Sequence, residues 1–107
     1  MGERADPAVV RLEGEQDLAT RHAVQLAFQQ VRNNPRVIVD LTRLRYIDSS
    51  VMTELFRAES RALALDGKLV IMARNQRLIR LLSIAGLTAS TPIVDTMDSA
   101  LNVMRGS

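Results

Sequence analysis

Residues 37–50 read VIVDLTRLRYIDSS, and the way this stretch divides decides the fold. VIVDL (37–41) is an almost continuous apolar run, the pattern of a strand covered on both faces by helices. Asp40 marks the end of the buried part and TRLRY reads as a connection. Asp48, Ser49 and Ser50 then supply an acid and two hydroxyls, the residue types that open helices by bonding unpartnered backbone N–H groups. Beyond them Val51, Leu55, Ala58, Ala62 and Leu65 keep helical phase, while Glu54, Arg57 and Arg61 occupy another face. The pattern predicts a strand, a corner and a long amphipathic helix.

Upstream, AVVRL (8–12) is β-branched and apolar enough for a first strand, and GEQD (14–17) reads as a turn or a short second strand. Ala23, Leu26, Ala27 and Val31 recur at helical spacing between Thr20 and Arg32, until Asn33, Asn34 and Pro35 stop the helix. Downstream, Gly67 suits the left-handed position after a helix, and KLVIM (68–72) is another buried strand. RLIRLLSIAGL (77–87) sets Leu78, Leu81, Leu82 and Ala85 on one helical side and Arg77 and Arg80 on another, with Gly86 as the stop. Pro92 cannot donate to a ladder, so PIVD (92–95) fits a short edge strand; Thr96, Asp98 or Ser99 caps a last helix with Met97, Leu101 and Met104 aligned. Strands alternating with helices predict one α/β domain over 1–107, with its core at about 8–104: a four- to five-stranded mixed sheet with about four helices packed on it.

Composition narrows the function. The chain is 47% hydrophobic and 24% charged, as globular domains are. No apolar run approaches the roughly 18 to 20 residues that cross a bilayer, and the start MGERADPAV lacks the apolar core of a secretory signal. The expectation is a cytoplasmic protein with no membrane insertion. A pI near 9.9 suggests nucleic acid, but 14 basic residues face 12 acidic ones and Phe28, Tyr46 and Phe56 are the only aromatics, so no direct nucleic-acid binding is expected.

Chemistry is equally constrained. Cysteine is absent, which excludes thiolate sites, and the one histidine, His22, lies in a different predicted helix from Ser49 and Ser50 and reads as a surface or capping residue. No glycines of a nucleophile elbow and no phosphate-cradling loop are present. Glu13, Glu15 and Asp17 read as a solvated turn, and Arg57, Arg61, Arg77 and Arg80 as solvated helix faces. The expectation is a non-enzyme with no cofactor and no metal.

One hydroxyl or carboxylate suffices to cap a helix, so the second serine of the cluster is left at a corner that a modifying enzyme can reach. A phosphate there adds about −1.5 to −2 charges. The helix dipole favours it by about 1 kcal/mol while Asp48 disfavours it, so the fold survives. A partner docked over the corner would instead have to bury a dianion, which costs several kcal/mol unless paired. This is a binding switch that needs no refolding.

The stretch VIVDLTRLRYIDSS resembles the STAS domain of bacterial anti-sigma-factor antagonists. GEQDLAT (14–20) is similar to the family's GELD-type turn, DGKLVIM (66–72) to its next strand and RLLSIAGL (80–87) to its Leu-rich helix. The resemblance implies a domain that binds a kinase-type anti-sigma factor (a serine kinase), is switched off by phosphorylation of the hydroxyl cluster, and is reset by a PP2C-type phosphatase, acting as a monomer or weak dimer. It makes Ser50 the phosphoacceptor and Ser49 the second candidate. Asp48, Ser49, Ser50, Val51, Glu15 and Asp17 become the partner-binding set. Two positions depart from the pattern: Val51 stands where the family usually has Gly, and Gln16 where it has an apolar residue. Val51 favours an alternative within the resemblance, an unphosphorylated STAS accessory subunit docking on the ATPase of a lipid-transport ABC system.

Overall fold

The computed structural model describes residues 6–106; residues 1–5 and Ser107, the ends of the expected 1–107 domain, lie outside the described residues. Along the chain follow β1 (Ala8–Gln16), α1 (Arg21–Gln29), β2 (Arg36–Ile47), α2 (Ser49–Ala64), β3 (Lys68–Met72), α3 (Gln76–Ile84), a 3₁₀ turn (Leu87–Ala89), β4 (Ile93–Val94) and α4 (Met97–Arg105). The strands form one sheet in the order β1-β2-β3-β4, and every neighbouring pair is parallel. The expected mixed sheet is therefore corrected. A helix carries the chain back before each new strand, which is the crossover connection that parallel pairing requires. GEQD does not double back either: its first three residues end β1, and the turn comes at Leu18–Thr20.

VIVDL is buried on both faces as expected. Val37, Val39 and Leu41 join Leu69, Ile71 and the apolar sides of α1, α2 and α3, while Ile38 packs with Val70, Met72 and α4 residues Ala100 and Met104. The strand does not stop there, however. Asp40 is itself buried, and TRLRY is strand rather than connection. Between Arg11 and Glu13 the register on β2 advances from Asp40 to Arg43, and between Gly14 and Glu15 from Leu44 to Tyr46, one extra β2 residue each time. Each bulge resets the alternation of faces. Leu41, Leu44 and Ile47, three apart, consequently all enter the same core.

The helix faces need smaller corrections. α1 buries Val24 and Phe28, with Ala27 and Val31 packed against the core, whereas Ala23 and Leu26 are exposed. In α3 Leu78 and Leu82 are buried, whereas Leu81 and Ala85 face outward. In α2 Val51, Leu55, Ala58 and Ala62 are buried, Leu65 is exposed, and Glu54, expected on another face from these, is itself only 3% exposed. Glu59 is buried too, accepting hydroxyl hydrogens from Ser90 at 2.8 Å and from Thr91, which ties the segment before β4 to α2.

The end of α2 is also built differently. Asp66, not Gly67, takes the left-handed conformation (φ 59°), with Gly67 N–H bonded to Ala62 O at 2.9 Å and Asp66 N–H to Leu63 O at 3.0 Å. Gly67 is required for another reason. A Cβ there would lie 1.7 Å from the Pro35 carbonyl oxygen, against which β3 begins.

Candidate functional site: the Asp48–Ser50 corner

Asp48 closes β2 and caps α2 with extended backbone (φ −98°, ψ 177°). Its Oδ1 accepts the Val51 N–H at 3.1 Å and the Ser50 hydroxyl at 2.6 Å. Its own N–H donates to the Gln16 carbonyl at 3.1 Å, so the last residue of β1 holds the corner from below. The Ser50 hydroxyl lowers the Asp48 pKa below its ordinary value most strongly; partial removal from water opposes this, and the N–H groups of Val51, Leu18 and Ser50 add to the lowering. Asp48 is thus a carboxylate anchored by a fan of donors, and the serine proton is committed to it.

The two serines differ. Ser49 is exposed, and its hydroxyl has no partner among the described residues, while its carbonyl accepts from the Thr53 hydroxyl at 3.0 Å. Ser50 is half-buried and oriented by Asp48. Val51 reaches the corner only through its backbone N–H, since its side chain is fully buried in the core.

Of the acidic residues upstream, Asp17 lies in the turn that touches the corner. It folds that turn by accepting the Ala19 N–H at 3.0 Å, and its own N–H donates to Thr20 Oγ1 at 2.9 Å. Glu15 is exposed one step back on β1, paired with Tyr46. Gln16 uses its side-chain amide on the Glu13 carbonyl, 2.8 Å away. His22 is exposed on α1.

Two residues that sequence reasoning passed over border the site. Leu18 is 69% exposed in the turn against Asp48, and Tyr46 is 51% exposed two residues before it. Apolar surface left beside a polar corner marks a contact surface more often than an isolated apolar residue does. The available signal was Leu18 itself, a large aliphatic residue standing in a polar turn.

One helical turn below Ser50, Glu54 forms a cross-helix cluster. Its Oε2 accepts from Arg21 Nε at 3.2 Å and Gln25 Nε2 at 3.1 Å, both on α1, and lies 3.6 Å from Arg57 Nη1. Among the described residues no group of three or more His, Cys, Asp or Glu side chains is placed to hold a metal ion, and no helix is long and apolar enough to cross a membrane.

Residues 1–95 match the family model described as Mlab, STAS domain. No curated protein matches the chain by sequence. Among solved structures, an anti-sigma factor antagonist from Mycobacterium paratuberculosis is 26% identical, superposes with a TM-score of 0.84, and is matched over 96% of this chain and 90% of its own. The anti-sigma factor antagonist SpoIIAA in its unphosphorylated form is 18% identical with a TM-score of 0.74, over 98% of this chain and 96% of its own. SpoIIAA in its phosphorylated form, a Bacillus cell fate determinant, is 18% identical with a TM-score of 0.68, over 88% and 86%. At that identity the SpoIIAA structures establish the shared fold.

Proposed function

The chain belongs to the STAS-domain family, and on that premise we propose that it is an anti-sigma-factor antagonist, a non-enzymatic cytoplasmic protein that binds a kinase-type anti-sigma factor and is released by phosphorylation of Ser50. A PP2C-type phosphatase resets it. The observation that carries the reading is the Ser50 hydroxyl, half-buried in the first turn of α2 and donating to Asp48 at 2.6 Å. With its O–H directed at the Asp48 carboxylate, the oxygen has lone pairs left for an incoming γ-phosphoryl group.

The bound state and the phosphorylated state exclude each other electrostatically. A partner seated over Asp48, Leu18 and Tyr46 removes water from the corner, and a phosphate there would be a desolvated dianion beside a carboxylate. Asp48 thus has two parts, orienting the acceptor and, after transfer, repelling the product. Ser49 is the second candidate for modification.

The test is intact-mass and peptide mass spectrometry after incubation with host extract and ATP. One phosphate on the wild type and none on Ser50→Ala is the expected result; an unmodified wild type under every growth condition rejects it.

A second reading has its own support in the matched family's description, Mlab, and in Val51 at the position where glycine is usual. It makes the chain an unphosphorylated accessory subunit whose corner docks on the ATPase of a lipid-transport ABC system. Stable co-purification with a membrane ATPase, with Ser50 unmodified, decides for it.

A further inference from the structure

We propose that Arg21 reads the phosphate at this corner: once Ser50 is phosphorylated, the Arg21 guanidinium turns from Glu54 to the phosphoseryl group. The inference rests on Ser50 as phosphoacceptor and adds what the modified chain does next.

Ser50, Glu54 and Arg57 stand at i, i+4 and i+7 along α2, which is one stripe of the helix, and side chains four residues apart have Cβ atoms about 5–6 Å from each other. Arg21 is held beside this stripe from two directions. Its guanidinium donates to Glu54 one turn below Ser50, and its backbone N–H bonds the Leu18 carbonyl at 3.4 Å, in the turn packed against Asp48. At 37% side-chain exposure it is free to swing. An arginine fork matches phosphate oxygens better than it matches the single carboxylate oxygen it now shares.

Glu54 can release it. Gln25 and Arg57 address the same Oε2, so the buried carboxylate keeps a hydrogen bond and a cation after Arg21 leaves. Such exchanges are usually blocked because a buried charge would lose its only partner. Charge balance runs the same way. Asp48 and Glu54 offset Arg21 and Arg57 before modification, and Asp17, the remaining acid of the turn, is engaged with the Ala19 N–H. A phosphate adds roughly −1.5 to −2 beside Asp48 and leaves an excess that a nearby cation relieves.

Phosphoserine installed at position 50 during translation makes the test independent of any kinase. The phosphate is titrated by ³¹P NMR in otherwise wild-type protein, in Arg21→Gln, in Arg21→Lys, and in Arg77→Gln, a charge control on α3. The expected result is a second ionisation lower by about half a unit in the wild type than in Arg21→Gln, the scale of one solvent-screened cation nearby. Arg21→Lys falls between the two and Arg77→Gln titrates as the wild type. Coincident wild-type and Arg21→Gln curves, or an equal shift in Arg77→Gln, overturn the proposal. Should Arg21→Gln not fold, the Arg21 Nε–H of the phosphorylated wild type decides: a through-hydrogen-bond coupling to ³¹P supports it, and a resonance unchanged from the unmodified protein overturns it. A shifted titration together with no phosphorylation in host extract would reject the function proposed above and leave this inference standing; the converse pair rejects this inference alone.

Discussion

The Ser50 hydroxyl and the Val51 N–H converge on one oxygen of Asp48, at 2.6 Å and 3.1 Å, so the contact that caps α2 also aims the serine. Because these donors hold the Asp48 pKa below its ordinary 3.8, protonation is disfavoured in the folded state. The stability it contributes is present above that ordinary value and is lost as pH falls through the lower, folded-state value. Asp48→Asn keeps a capping acceptor and removes the charge. Thermal melts of the two proteins should differ at about pH 6, with the wild type higher, and converge as pH falls through the lowered, folded-state value. Burial raises the pKa of Asp40, but the Thr42 hydroxyl and N–H and Arg11 outweigh it and hold the group low; that contribution is common to both proteins and cancels in the comparison. A gap that stays constant with pH would deny the charge its role.

The turn after α2 separates two kinds of glycine requirement. Gly67→Ala puts a methyl group into the Pro35 backbone carbonyl, so the start of β3 must move; a loss of about 3 kcal/mol is expected, at the severe end for overpacking. Asp66→Gly relieves a left-handed non-glycine residue and should be neutral or stabilising by up to about 1 kcal/mol. Urea melts of both variants check the pair, and reversed signs would mean that the conformation of the turn is misassigned.

Most of the architecture was legible in local pattern. VIVDL and KLVIM announced buried strands, and Thr96 and Gly86 sit at the helix boundary and the stop expected of them. What was not legible has a common cause, which is that the deciding partner is remote in sequence. The two β2 bulges give Leu41, Leu44 and Ile47 a spacing of three, which fits no strand template until β1 is alongside. Glu54 reads as an exposed helix charge until Arg21 and Gln25 arrive from α1. At the site, the acid and hydroxyls identified themselves as a cap. That Ser50, rather than Ser49, donates to Asp48, and that Leu18 stands exposed beside them, required the fold.

The Glu54 cluster should respond asymmetrically. Glu54→Ala removes the acceptor that Arg21 and Gln25 share and that Arg57 pairs with, and opens a gap between α1 and α2, so a cost of about 2 kcal/mol is expected, moderated because Arg21 and Arg57 are exposed enough to return to water. Arg21→Gln leaves Gln25 and Arg57 in place and should cost less than about 1 kcal/mol, within the range of partly exposed pairs. Chemical denaturation distinguishes the two, and an Arg21 loss as large as that of Glu54 would show that the remaining donors do not compensate.

Leu18 gives the sharpest separation of surface from scaffold. At 69% exposure its side chain contributes little to the core, so Leu18→Ser should change stability by no more than about 0.5 kcal/mol. If the corner is what a kinase-type partner covers, the same change removes apolar area next to the acceptor and should slow phosphorylation of Ser50 in host extract severalfold. Ile84→Ser, 76% exposed on α3, is the matched control and should leave the rate unchanged. Equal rates for both variants would move the contact surface away from the β1–α1 turn, while a slowed Leu18→Ser reaction with an unchanged melting temperature would locate part of it there.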